Sequence, residues 1–160
     1  MADHLIKGVM SNSMTMNGSL RGKRIFIVED NSMNRVVYKM SLLLTGASLQ
    51  FDHRGDETIR LLESYKPHLI ILDLMLPRGN SGFNIFEEIR QHPELRMIPI
   101  VAISASDPGV ALMKCRQMGF TGFIAKPIEE ELLPDQVARL IKGQQVWYVG
   151  ERYGGEVEES

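Results

Sequence analysis

The chain has one cysteine, Cys115, in 160 residues. No internal disulfide can form, so a reducing, cytoplasmic setting is the default expectation. It also lacks a surplus of positive charge. Its 18 Lys and Arg stand against 20 Asp and Glu, a net charge of −2, which argues against a general nucleic-acid or membrane-surface binder. No apolar run reaches the length of a membrane span. Before Ser19 the only apolar pairs are Leu5-Ile6 and Val9-Met10, too short and broken for a signal peptide. His4, His53, His68 and His92 show no metal-ligand spacing, and there is no internal repeat. What is present is ordinary: 44% apolar and 24% charged residues, enough for one domain with tails and too little for a second sizeable core.

Residues 1–21 are rich in Ser, Asn, Gly and Met without helical or strand period, and read as a flexible leader. Met10, Met14 and Met16 leave the natural start open. The folded domain is expected over 22–142, and 143–160 as a mobile, glycine-containing tail. Val146-Trp147-Tyr148-Val149 stands out in that tail as a short apolar segment that packs back on the domain, forms an edge strand or makes a subunit contact.

Between the tails, strand-like and helix-like segments alternate. Arg24–Val28 reads as a strand, followed from Ser32 to Gly46 by a helix with Val36, Val37, Met40, Leu43 and Leu44 on one face. Ser48–Asp52 is a second strand. Asp56 reads as the cap of a helix carrying Ile59, Leu62 and Tyr65, and residues 68–72 as a third strand, apolar as expected when both faces are covered. A helix from Gly82 turns Ile85, Phe86 and Ile89 inward, and 98–103 is the fourth strand. Asp107-Pro108 is a strong helix start, with Val110, Leu112, Met113 and Cys115 on that helix. Gly122–Ala125 is the fifth strand, and the last helix begins near Pro134. This is an α/β chain: a doubly wound, five-stranded parallel sheet flanked by five helices.

In such a sheet the carboxyl ends of the strands open on one crevice. Glu29-Asp30, Asp73 and Lys126-Pro127 each end an apolar run, so three acids and one ammonium are expected to meet. Three clustered carboxylates need a cation among them, and a hard ion such as Mg²⁺ suits an all-oxygen site. The lysine is then free to hold an anion, which makes a phosphoryl-transfer pocket. Each residue also has a plainer reading: Asp73 as a cap, Glu29 and Asp30 as acids at a helix N-terminus, and Lys126 as a solvated strand end.

Val28-Glu29-Asp30-Asn31, Leu72-Asp73-Leu74-Met75-Leu76-Pro77, Ser104-Ala105 and Lys126-Pro127 occur in order at compatible spacing. On these blocks, Lys23–Ile141 resembles the receiver domain of two-component response regulators, a flavodoxin-like fold. The resemblance implies Asp73 as phosphoacceptor. Mg²⁺ would be held by Glu29, Asp30, Asp73 and the backbone carbonyl of Met75. Lys126 would grip a phosphoryl oxygen beside a cis proline bond, and Ser104 and Phe123 would be the switch pair. Phe123 also fits an ordinary buried strand aromatic. Pro77–Gly82 departs from the pattern: it looks about one residue longer than the commonest version, and Asn80 or Ser81 stands where an acid is frequent.

The resemblance further implies a signalling protein rather than a conventional enzyme, with self-catalysed phosphorylation and dephosphorylation. Its donor would be a histidine kinase or histidine phosphotransfer protein docking near the first helix. Glu29–Arg35 looks like the receivers of phosphorelays. The face of the fourth helix, fifth strand and fifth helix would change its preference for a downstream protein. The stretch after Lys142 is too short for a helix-turn-helix unit, so neither nucleic acid nor membrane is expected as a partner, and a homodimer stays open. A phosphorylation-independent adaptor on the same fold is the alternative, although such a module need not keep these acids, Ser104 and Lys126. A flavin carrier is disfavoured because Glu29-Asp30-Asn31 would repel a phosphate, and a haloacid-type phosphatase because Asp73-Leu74-Met75 lacks its second acid.

Overall fold

β-Branched and aliphatic runs supply the centre of the molecule. The computed structural model describes residues 17–158. Its strands are β1 Arg24–Val28, β2 Ser48–Asp52, β3 Leu69–Asp73, β4 Ile100–Ser104, β5 Gly122–Ala125 and β6 Val146–Tyr148. Its α-helices are α1 Ser32–Leu42, α2 Thr58–Tyr65, α3 Gly82–Gln91, α4 Pro108–Met118 and α5 Leu133–Ile141. All strand pairs are parallel, in the order β2-β1-β3-β4-β5-β6. The five expected strands and helices are there, and the sheet gains a sixth strand from the apolar segment of the tail.

Every residue of β3 and β4 is buried, because helices cover both faces of the sheet. Phe26, Val28, Ile70, Leu72 and Phe123 face one core with Leu62 of α2, Ile85, Phe86 and Ile89 of α3, and Leu112 and Cys115 of α4. Ile25, Ile27, Leu69, Ile71, Ile103 and Ile124 face the other, with Tyr38 and Leu42 of α1 and Leu133, Val137 and Leu140 of α5. The period-two alternation thus divides each strand between two cores. Burial pushes the Cys115 thiol up to about 12, so it is inert packing, as its place on an amphipathic helix suggests.

Two expectations are corrected, the inward stripe of the first helix and the cap of the second. On α1 and the 3₁₀ turn Leu43–Thr45 that follows it, Val36, Met40, Leu43 and Leu44 are exposed together with Met33, while Tyr38 and Leu42 face the core. Helical spacing defined two stripes, and the stripe containing the large aromatic wins the interior. On α4, Val110 and Met113 likewise point to solvent, and Ala111, Leu112 and Cys115 are buried. Asp56 does not cap α2. Asp52, itself buried, accepts hydrogen bonds from the Glu57 N–H and the Thr58 hydroxyl, so the β2 end organises the helix start.

The boundaries shift as well. The leader expected over 1–21 lies outside the described residues up to 16. From Asn17 on it is packed: Gly18 and Leu20 donate backbone hydrogen bonds to Leu44 and Thr45, and Leu20 is buried. The tail is not free over 143–158. After β6 the chain forms a 3₁₀ turn at Glu151–Tyr153 and returns so that Tyr148 bridges Glu156 antiparallel. Trp147, buried in β6, reconciles two of the readings of its segment, since it packs on the domain by becoming the edge strand.

Candidate functional site

β1 lies between β2 and β3, so the chain departs from β1 to opposite sides and leaves a crevice beyond the carboxyl ends of β1 and β3. Glu29 and Asp30 follow β1, Asp73 ends β3, Ser104 ends β4 and Lys126 follows β5. The crevice therefore collects all five side chains.

Lys126 is the centre of this cluster. Its Nζ is 2.8 Å from Asp73 Oδ2 and 3.1 Å from Glu29 Oε2, so it ties together both buried acids rather than Asp73 alone. Asp73 Oδ1 accepts the Met75 N–H at 2.9 Å, which fixes the carboxylate plane. Glu29 is fully buried; its Oε1 accepts from the Asn31 N–H and the Asn34 side-chain amide. Its Oε2, although close to the ammonium, has no hydrogen-bond partner among the described residues. Asp30 is exposed at the rim.

These contacts shift protonation in opposed ways. Burial, then the charge of Asp73, raises the Glu29 carboxyl above the usual range, and Lys126 partly offsets both. For Lys126, burial pulls downward most strongly. The Asp73 hydrogen bond, the two carboxylate charges and the Glu29 hydrogen bond together outweigh it and leave the ammonium raised. It stays charged at neutral pH, and burial followed by the charges of Glu29 and Asp73 holds the buried Tyr38 phenol well above its ordinary value, so it stays neutral.

Glu29, Asp30 and Asp73 each present an oxygen within 4.8 Å of the others. That set, with an orphaned buried oxygen on Glu29, fits a hard divalent cation: one positive charge on Lys126 does not satisfy three carboxylates. Met75 contributes its N–H to Asp73, and its exposed thioether sulfur accepts from the Ser106 hydroxyl at 3.2 Å. Ser104 is fully buried and accepts the Ser106 N–H at 3.0 Å. Phe123 is fully buried in β5, beside Trp147 of β6. The Lys126–Pro127 peptide bond is cis.

Sequence reasoning missed the groups that hold the β1–α1 turn. The Arg35 guanidinium donates to the carbonyls of Glu29 and Asp30 at 3.1 and 2.8 Å, and Asn31 N-caps α1 by accepting the Asn34 N–H. The cap was legible as an Asn three residues before a polar amide; the Arg35 bond depends on the turn's shape. In the long loop, Asn80 donates to the Arg54 carbonyl and the Asp56 carboxylate. Ser81 caps α3 through the Phe83 N–H. Neither therefore substitutes for an acid at the pocket.

Comparison with known proteins agrees with this geometry. The response regulator receiver domain model matches residues 25–138. The polar-differentiation response regulator DivK of Brucella anthropi is 31% identical over 106 residues, 66% of this chain and 85% of DivK. The receiver domain of a sensor histidine kinase from Pseudomonas aeruginosa, solved with a magnesium ion coordinated in its active site cleft, is 29% identical. It has a TM-score of 0.67 and covers 76% of this chain and 98% of its own. A response-regulator structure from Chloroflexus aurantiacus superposes with a TM-score of 0.70 at 24% identity, covering 75% of this chain and 98% of its own, which speaks to the fold alone. With the strand order, the acid cluster and a match over most of its length in agreement, the chain belongs to the response regulator receiver domain family of two-component signalling.

Proposed function

We propose that this chain is a phosphorylation switch in which Asp73 accepts a phosphoryl group from a phosphohistidine and the modified domain changes its protein partners. The donor is a histidine kinase or a histidine phosphotransfer protein. The observation that carries this reading is the buried Asp73 carboxylate, pinned by Lys126 at 2.8 Å and by the Met75 N–H at 2.9 Å. A rigid, ionised carboxylate is what in-line attack on phosphorus needs.

An Asp73 oxygen attacks phosphorus, the phosphorus–nitrogen bond breaks, and its electron pair leaves on the imidazole. Lys126 shifts from the carboxylate to an oxygen of the transferred group and offsets its charge. The Ser104 hydroxyl, now an acceptor for Ser106, turns to donate to another of those oxygens, and Phe123 follows into the space so opened. Glu29, Asp30, Asp73 and the Met75 carbonyl would hold Mg²⁺, which when bound supplies Lewis-acid polarisation of the phosphoryl group. The added charge of about −1.5 to −2 then biases the domain between two states. The same groups can orient water for self-catalysed loss of the phosphoryl group.

Intact mass after incubation with a small-molecule phosphodonor, with and without Mg²⁺, tests this beside Asp73→Asn. One phosphoryl adduct requiring both Mg²⁺ and Asp73 is expected. A folded chain that never takes up the adduct would instead be a constitutive adaptor.

A further inference from the structure

The contacts of the C-terminal segment form a pattern that the phosphoryl chemistry does not require. β6 pairs along β5, with Gly122 opposite Val146, Phe123 opposite Trp147 and Ile124 opposite Tyr148. The chain then doubles back: the Val149 N–H donates to Gly155 and the Val157 N–H to Trp147. From there it reaches both neighbouring helices. Arg116 of α4 donates to the Glu158 carbonyl at 2.5 Å and lies 4.9 Å over the Trp147 ring. Arg139 of α5 holds the Glu156 carboxylate with two N–H groups, and Val157 packs on the core containing Phe123 and Cys115. Residues 149–158 thus lie along β6 and reach α4 on one side and α5 on the other.

This segment is joined to the site at two points, one on β5 and one on the loop that follows it. Trp147 lies beside Phe123 in register, and the Tyr148 hydroxyl donates at 2.5 Å to Glu129, three residues beyond Lys126 on the same loop. The two halves of the segment are held with unequal strength. Val146, Trp147 and Tyr148 are buried, whereas the return strand is held by two backbone hydrogen bonds, the Arg116 bond to the Glu158 carbonyl and the Arg139–Glu156 ion pair, whose Glu156 side chain is 42% exposed. Exposed pairs contribute little, and such elements are the ones that open locally.

We propose that residues 149–158 are a strap over the face formed by α4, β6 and α5, and that phosphorylation of Asp73 loosens it to admit a protein partner. This rests on the phosphoryl reading above. When Lys126 turns to the new group, its loop carries Glu129 with it, and Tyr148 passes the change to the residue it bridges, Glu156. β6 itself stays in the sheet. What the strap leaves open is a guanidinium, Arg139, beside the slot of Val157, so the incoming segment carries a carboxylate next to an aliphatic side chain.

Trp147 is the single tryptophan, which makes its emission a direct report. The test takes the full chain with a small-molecule phosphodonor and Mg²⁺, confirms the adduct by mass, and follows Trp147 emission and amide exchange. In the adduct, the Val149, Gly155 and Val157 amides are expected to exchange about tenfold faster, the factor for losing one charge-assisted contact, with a change in emission. Asp73→Asn shows neither. An adduct with unchanged exchange overturns the strap and leaves the phosphoryl reading intact, while no adduct at all overturns both, and mass tells the two apart. Glu156→Lys is expected to speed the same amides without donor and to keep adduct formation; unchanged exchange there also overturns it. A labelled peptide copying residues 151–160 is expected to bind the Glu156→Lys chain and not the parent. Binding to neither, or equally to both, counts against the proposal.

Discussion

Gly82 lies so close to the end of β3 that one added carbon would displace the proposed phosphoacceptor. A Cβ there would sit 2.4 Å from the Asp73 carbonyl oxygen and 2.8 Å from Leu74 Cα. Both are backbone atoms with no rotamer to yield, so Gly82→Ala is expected to cost about 1–3 kcal/mol and to slow adduct formation on Asp73. Urea midpoints and the time course of the mass shift check the two halves. His68 governs a different edge of the sheet. Its Nδ1 accepts the Arg24 N–H at 3.0 Å, which a protonated ring cannot do. Burial first, then Arg24 and Lys23, lowers its folded pKa below the ordinary 6.5. The unfolded chain therefore takes up the proton first as pH falls. Stability is fully present above 6.5 and is lost as pH drops from there through the lowered folded value. The urea midpoint should decline over that window, and His68→Asn, which can still offer an acceptor to Arg24, should flatten the decline. At this scale the meeting of the site residues was legible: Glu29, Asp30, Asp73, Ser104 and Lys126 each end an apolar run, and parallel strands bring such ends together. Arg35 and Tyr38 were not, because their roles depend on how a turn and a helix sit rather than on spacing.

The elements were easier to find than to orient. The α1 segment shows why: Val36, Met40, Leu43 and Leu44 fit a helical stripe as well as Tyr38 and Leu42 do, and periodicity carries no information about which stripe meets the sheet. Burying Tyr38 removes a larger apolar surface from water, which settles the choice. The exposed stripe lies on the helix that starts beside Glu29 and Asp30, next to the pocket that the proposed phosphohistidine donor would approach. Met40 is 62% exposed, so Met40→Lys should leave the urea midpoint within about 0.5 kcal/mol of the parent. It should also leave labelling by a small-molecule phosphodonor unchanged. Transfer from a phosphorylated histidine phosphotransfer protein should fall by about tenfold, the effect of one lost interface anchor. Equal loss with both donors would place Met40 in the chemistry and not in docking.

At the scale of the whole molecule, the sixth strand alters what the sheet presents. A five-stranded sheet would end at β5 with an unpaired edge beside Phe123; here β6 covers that edge, and the returning chain covers β6. The sequence marked Val146–Val149 as apolar but held no sign of its direction, since parallel pairing with β5 depends on α5 returning the chain to the start of the sheet. Gly122 makes the close fit possible. A Cβ at that position would stand 2.3 Å from the Val146 carbonyl oxygen and 3.2 Å from Leu140 Cδ2. The first contact is backbone, so either β6 moves off or β5 shifts. Because β5 is held by β4 along its whole length, while β6 is paired in the sheet with β5 on one side and on the other with a short return strand, β6 is the element that yields. Gly122→Ala is therefore expected to move Trp147 from a buried site into water, shifting its emission to the red. Undocking the strand forfeits burial of Val146, Trp147 and Tyr148, each side chain contributing about 2 kcal/mol. Because Asp73 ends β3 and Glu29 follows β1, two strands or more from the damage, labelling of Asp73 should persist. Red-shifted emission with labelling retained is the expected pair of results, and a buried Trp147 in a fully folded Gly122→Ala chain would mean that β5 gives way first.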